Sequence, residues 1–280
     1  LPTEAPRRSR IAAFRYLNSL PLLHGLIVRP LPGCERIELS LGTPAESAQA
    51  LADGRADAAL IPSIEAARIP GLRHLPGIAI ATDRRVRSVI VAASRPLDRC
   101  RSLALDASSR TSVALLRVLL ARRFQCRPEL EVMPPDPEAM LKRHDGALLI
   151  ADHALRPLPP GLIIIDLAEE WHALTGLPFV FALWAVRDGA AFGSVEAELL
   201  ASSLEAGQRA LPEIAASDGV ALGLTAAEAH AYLRENLSYR LGVPERAGLV
   251  RFLALAAEEG LLPGCATPPP AWAAVAGVTG

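Results

Sequence analysis

Lysine is almost missing from this chain: of 29 basic residues only Lys142 is one. A Walker A phosphate loop is thereby excluded, and a Schiff-base enzyme would have a single candidate. Neither sign of charge is in excess, since 29 basic side chains meet 30 acidic ones for a formal net charge of -1. That balance argues against nucleic-acid and membrane-surface partners, which favour a marked basic surplus. Four cysteines, Cys34, Cys100, Cys126 and Cys265, lie far apart without a C-x-x-C pair. Zinc and redox motifs are therefore not indicated, nor is a disulfide framework at this size; free thiols in a reducing cytoplasm are the expectation. No apolar run exceeds Phe179 to Val186, far short of the roughly 20 residues that cross a bilayer. The opening Leu1-Pro2-Thr3-Glu4-Ala5-Pro6-Arg7-Arg8 has no apolar signal core. It begins without methionine, which leaves a trimmed leader open, with the cytoplasm as default location. H-E-x-x-H, G-x-S-x-G and G-x-G-x-x-G are all missing. A metal hydrolase, a serine hydrolase and a nicotinamide enzyme each fit poorly, and no metal or cofactor is expected.

What is present reads as a globular chain, 51% hydrophobic and 21% charged over 280 residues, long enough for two lobes or one large domain. Strand-like apolar runs fall at Arg10–Arg15, Arg36–Leu41, Ala58–Ile61, Gly77–Ala81, Val86–Ala93, Ser102–Asp106, Leu130–Met133, Ala147–Ala151, Leu162–Asp166 and Phe179–Val186. Helix starts are marked by Thr43-Pro44-Ala45-Glu46, Asp136-Pro137, Asp166-Leu167-Ala168-Glu169, Ser194 and Thr225-Ala226-Ala227-Glu228, with Gly54 and Gly176 closing two of them. The helix opened by Thr225 is expected to run to Gly242, and strand signals vanish after Phe192. Alternating strands and helices predict an α/β fold with parallel sheets. Two long apolar strands, Val86–Ala93 and Phe179–Val186, bracket a central stretch with its own strands and helices. We expect two lobes, residues 1–93 plus 187–280 and an inserted 94–186, with a ligand cleft between them where strand carboxyl ends and helix N-termini meet.

Two segments stand out as site candidates. Asn18 follows the first strand in Tyr16-Leu17-Asn18-Ser19-Leu20-Pro21-Leu22, a strand-to-helix turn at the cleft edge; its amide either binds a hydroxyl or carboxylate or merely caps the turn. Asp106-Ala107-Ser108-Ser109-Arg110-Thr111-Ser112 precedes the amphipathic helix Val113–Phe124. Ser108, Ser109, Thr111 and Ser112 supply more hydroxyls than a cap requires, and Arg110 adds a charge, as suits a carboxylate or phosphate. Ser63 and Ser88 line the opposite wall if the two-lobe reading holds; each alone is an ordinary strand serine. Asp152 and His153, at the end of the Ala147–Ala151 strand, face the cleft in the same arrangement. Arg84-Arg85-Val86-Arg87 reads as a solvated strand entry with Arg87 able to face an anion, and Trp171 and Trp184 read as core or pocket rings.

These blocks resemble the chorismate dehydratases of the futalosine route to menaquinone. The resemblance runs through Tyr16-Leu17-Asn18-Ser19-x-Pro21-Leu22, Asp57-Ala58-Ala59-Leu60-Ile61-Pro62-Ser63, Val86-Arg87-Ser88-Val89, Ser108-Ser109-Arg110-Thr111-Ser112, Leu148-Leu149-Ile150-x-Asp152 and Thr175-Gly176-Leu177-Pro178-Phe179. It is loose in the last third, at Glu235-Asn236-Leu237-Ser238-Tyr239. It implies a type II periplasmic-binding-protein-like fold, used as a cytoplasmic lyase that dehydrates chorismate, a small dianion, to 3-[(1-carboxyvinyl)oxy]benzoate. It also brings Thr175 and Gly176 among the substrate-binding positions. We expect Asn18 and Ser88 at the reacting centre and the substrate's own enolpyruvyl carboxylate as proton acceptor, with aromatisation driving the elimination. The dihydroxynaphthoate-forming lyase of the same pathway and a non-catalytic binder of a small organic anion are the other readings. Oligomeric state is left open by the sequence.

Overall fold

A computed structural model describes residues 8–263. The opening seven residues, Cys265 and the Pro268-Pro269-Pro270 tail lie outside the described residues. The strands are β1 (Ser9–Phe14), β2 (Ile37–Gly42), β3 (Ala58–Pro62), β4 (Leu72–Thr82), β5 (Val89–Ala93), β6 (Ser102–Asp106), β7 (Glu129–Met133), β8 (Gly146–Ile150), β9 (Ile163–Asp166), β10 (Phe179–Arg187) and β11 (Ser238–Leu241). The helices are α1 (Leu20–Ile27), α2 (Pro44–Ala52), α3 (Glu65–Arg68), α4 (Thr111–Arg122), α5 (Pro137–Arg143), α6 (Ala151–Leu155), α7 (Leu167–Thr175), α8 (Ser194–Arg209), α9 (Leu211–Ile214), α10 (Ala226–Ala231) and α11 (Val243–Glu258).

Two sheets form the two lobes. The larger has the order β11-β4-β10-β3-β1-β2 and the smaller β7-β6-β8-β5-β9. Strands inside both sheets are apolar on both faces because helices cover both; β3, β5 and β8 are buried at every position. The sheets are mixed, not purely parallel: β10 runs antiparallel to β3 and β4, and β5 antiparallel to β8 and β9. A strand that enters a lobe from its neighbour comes from the opposite side, which reverses its direction.

Both strands expected to cross between lobes belong to one sheet each, β5 to the smaller and β10 to the larger. Val86 to Ser88 precede β5 and are not strand, because Arg87 takes a left-handed φ of 63°. We propose that the lobe limits fall in the turns at 83–88 and 176–178. There α7, β10 and α11 share an aromatic cluster, with Trp171 at 5.4 Å from Phe179 and 6.1 Å from Phe252 between ring centroids. Trp171 and Trp184 are both fully buried core residues. Gly248 of α11 lies so close to the Pro178 carbonyl that any side chain there would collide with it.

The last third differs from expectation in one element. The helix opened by Thr225 ends at Ala231, passes through a π-helical turn (Tyr232–Asn236), and gives way to β11, which pairs with β4. Tyr239 and Leu241 point inward while Arg240 points out, a two-residue period too short to stand out in the sequence. Gly242 starts α11 instead of ending the preceding helix, and α8 is capped at Gly193, one residue before Ser194. Thr43, Asp136 and Asp166 cap α2, α5 and α7 as their spacing predicts.

Candidate active site

The parallel strands β1, β3, β6 and β8 direct their carboxyl ends toward the junction of the lobes, the usual ligand position in open α/β sheets. A cavity, part of it open to solvent, lies there against Phe14, Pro62 and Ile150, the ends of three of them. Its floor is apolar, with Phe181 and Ile80 from the larger sheet.

Asn18 enters this cavity from the turn after β1. Ser19 sets the turn: its hydroxyl donates to the Phe14 carbonyl at 2.7 Å and accepts from the Tyr16 N–H at 3.0 Å. The Asn18 carbonyl accepts from the Tyr239 phenol at 3.0 Å, and the Leu17 N–H donates to Asp152 Oδ1 at 2.9 Å. The backbone on either side is therefore pinned, while Asn18 Oδ1 is buried without a partner among the described residues.

Ser88 enters from the turn before β5. Val86 and Arg87 N–H donate to the Asp166 carboxylate at 3.1 and 2.7 Å, and the Ser88 carbonyl accepts from the Ala151 N–H at 2.7 Å. Arg87 (φ 63°) and Ala151 (φ 49°) both hold left-handed backbone, a strained conformation for side-chain-bearing residues that costs on the order of 1 kcal/mol or more each. Both residues frame Ser88, while a third with left-handed backbone, Gln125 (φ 52°), lies elsewhere. Ser88 Oγ accepts a 2.7 Å hydrogen bond from the buried Tyr232 hydroxyl.

The third wall is the start of α4. Ser109, Arg110, Thr111 and Ser112 line the cavity, and no side chain caps the helix, which leaves its first-turn N–H groups for an acceptor in the cavity. Ser109 Oγ is also buried and unpartnered among the described residues. Arg110 is not a free charge: its guanidinium pairs with the buried Glu65 at 3.1 Å, and Glu65 also holds Arg68 at 2.9 Å. Attraction for an anion here rests on N–H dipoles and hydroxyls more than on net charge.

Asn18, Ser88, Ser109, Arg110, Thr111 and Ser112 thus come together from segments far apart in sequence. Ser63 and Ser108 stand behind the wall. Ser63 donates to the Val180 carbonyl at 2.7 Å and touches Thr111 Oγ1 at 3.4 Å, while Ser108 binds Asp106 through both its N–H and its hydroxyl. Asp152 and His153 follow the lining residue Ala151. Asp152 ties the lobes through Leu17, and the His153 ring meets Tyr16 edge-on at 6.4 Å. Burial raises the Asp152 pKa from its ordinary value, against the lowering pull of the Leu17 N–H. Thr175 and Gly176 are outside the lining: Thr175 donates to the Trp171 carbonyl at 2.9 Å, and Gly176, at φ 72°, closes α7. Arg87 faces a separate groove with Arg85 and Arg156. Sequence reasoning missed Tyr232, which carried no local signal, and the lining ring of Tyr16, which lay inside a motif read only for its Asn. Among the described residues no group of three or more His, Cys, Asp or Glu could hold a metal, and no helix is long and apolar enough to cross a membrane.

The sequence profile of the menaquinone biosynthesis family matches residues 9–258. The chain belongs to this family. Its relatives within reach of sequence include the chorismate dehydratase of Thermus thermophilus, 30% identical over 256 residues that cover 85% of this chain and 91% of that protein. The chorismate dehydratase of Campylobacter jejuni is 36% identical over 170 residues, 60% of this chain and 62% of that one. In fold, this family member resembles the periplasmic aliphatic sulphonate binding protein of Escherichia coli, with a TM-score of 0.65 at 17% identity over 93% of this chain and 90% of that one. The architecture is the periplasmic-binding-protein-like one, with two α/β lobes around a ligand cleft.

Proposed function

We propose that this protein dehydrates chorismate to 3-[(1-carboxyvinyl)oxy]benzoate, in the cytoplasm, as a step of the futalosine route to menaquinone. The names of its relatives support the reaction, and one observation of the site carries the reading. Asn18 Oδ1 and Ser109 Oγ, both buried and unpartnered, face one cavity from opposite lobes beside an uncapped helix start. Buried polar atoms are nearly always satisfied, so a cavity that leaves two open selects a ligand rich in acceptors and hydroxyls. Chorismate brings two carboxylates and a ring hydroxyl on a cyclohexadiene ring that turns flat and aromatic in the product, which matches the hydroxyls and N–H groups of α4 and the Phe14 and Phe181 faces.

The elimination removes a ring proton and the adjacent hydroxyl, and the ring becomes aromatic. The substrate's enolpyruvyl carboxylate, folded back over the ring, takes the proton; that proton departs with the hydroxyl as water, so the products are the benzoate and one water. The protein's part is orientation and charge stabilisation. Asn18 holds the leaving hydroxyl, Ser88 donates to the reacting end of the substrate, and the first turn of α4 binds the ring carboxylate.

Incubation of the purified protein with chorismate, followed by proton NMR, tests this. Appearance of the aromatic benzoate with loss of the ring hydroxyl is the expected result. Chorismate that binds and is recovered unchanged would make the protein a binder of small organic anions, and no binding at all would remove chorismate as the ligand.

A further inference from the structure

Tyr232 is fully buried in the π-helical turn that follows α10, 144 residues from Ser88, and does not line the cavity. Its hydroxyl nevertheless donates to Ser88 Oγ at 2.7 Å. A serine hydroxyl has one proton and can rotate it freely. When a fixed donor occupies an oxygen lone pair, the serine proton is directed elsewhere. The Ser88 carbonyl already accepts from Ala151, and the strained Arg87 and Ala151 fix the backbone on both sides. Among the described residues the Ser88 hydroxyl has no acceptor of its own, and Ser88 lines the cavity, which leaves that proton for a ligand there.

We infer that Tyr232 is a positioning residue for this reaction: it sets the Ser88 hydroxyl as a donor toward the substrate, though it does not touch the substrate itself. The inference rests on the function proposed above. Burial pushes the Tyr232 phenol well above its ordinary range, while the Ser88 and Asn18 side chains pull it down, so it remains a protonated donor at any working pH. Donors polarised in series strengthen one another, and a hydroxyl held in one orientation needs no reorganisation when charge develops on the substrate.

The test is Tyr232→Phe, which keeps the ring in the core and removes only the oxygen, measured beside the parent protein. We expect kcat for chorismate to fall about 10-fold or more with KM within about 3-fold, since the lost interaction acts in the transition state. A merely structural tyrosine would lower the fraction of folded protein and leave the kinetics of the folded remainder alone. Turnover is then measured in Tyr232→Phe, Ser88→Ala and the double variant. The phenylalanine is expected to lower kcat in the presence of Ser88 and to change it less than about 2-fold in its absence, as coupling through Ser88 requires. Unchanged kcat, or an equal loss with and without Ser88, overturns the inference. Should Tyr232→Phe fail to fold, 3-fluorotyrosine at this position keeps shape and hydroxyl while strengthening the donor; an unaltered kcat there overturns it too. If the parent itself leaves chorismate unchanged, the proposed function has failed instead.

Discussion

At Asn18 every backbone neighbour is spoken for, by Ser19, Tyr239 and Asp152, and only the side-chain amide is left to meet a ligand. Asn18→Asp keeps the shape and places a negative charge against a dianion in a buried site. The expected outcome is a drop in kcat/KM of about 100-fold or more, with a melting temperature a few degrees lower because the new carboxylate is buried, checked by chorismate turnover and thermal denaturation. Near-normal turnover would remove Asn18 from the site. Asn18 was legible because an amide at a strand-to-helix turn is placed by local sequence alone, and the same holds for the hydroxyls of Ser109, Thr111 and Ser112 at the start of α4. Tyr232 was not legible: its partner lies in the turn that enters the other lobe, and nothing in Tyr232-Leu233-Arg234 distinguishes it from a core residue. Arg110 was legible as a residue of the wall but not as a charge, because the neutralising Glu65 comes from α3, 45 residues away.

Among the elements, α6 carries a half-buried carboxylate whose ionisation bears on the stability of the fold. It begins at the strained Ala151 and carries Asp152, the acceptor for the Leu17 N–H of the other lobe. Because burial raises the Asp152 pKa in the fold, the folded state binds that proton more strongly than the unfolded chain does. The group's contribution is therefore full below the unfolded carboxylate range and is lost as pH rises through the raised folded value. Asp152→Asn retains an oxygen for Leu17 while removing the buried charge. It is expected to melt a few degrees above the parent at neutral pH and at the same temperature near about pH 3, where the parent is also uncharged. A variant that melts lower at neutral pH would show that the charge itself holds the lobes together. Capped helices such as α2 and α7 were legible because Thr43, Asp166 and Gly176 act within four residues. The strand β11 was not, since only the pairing with β4 turns Ser238-Tyr239-Arg240-Leu241 into a strand.

For the molecule as a whole, the two lobes meet through Arg110 and Glu65 at 3.1 Å, Thr111 and the Ile64 N–H at 3.2 Å, and Asp152 and the Leu17 N–H at 2.9 Å. Arg110 and Thr111 line the cavity and Asp152 follows its lining residue Ala151, so part of the lobe contact is shared with ligand binding, while Arg122 meets Glu258 and Glu259 elsewhere. That two lobes exist followed from strands and helices alternating in a central stretch between two long apolar strands. Which sheet each of those strands joins did not follow, because β5 and β10 are equally apolar and membership is decided by partners distant in sequence. The central claim is that neutral donors on both lobes grip one doubly charged molecule between Asn18, Ser88 and the first turn of α4. A crystal structure of the complex with 3-[(1-carboxyvinyl)oxy]benzoate measures this directly. The account requires one carboxylate within hydrogen-bonding distance of the Thr111 and Ser112 N–H groups and the other end of the product against Asn18 and Ser88. Product bound in the arginine groove beside Arg87, or with neither carboxylate on α4, would contradict it.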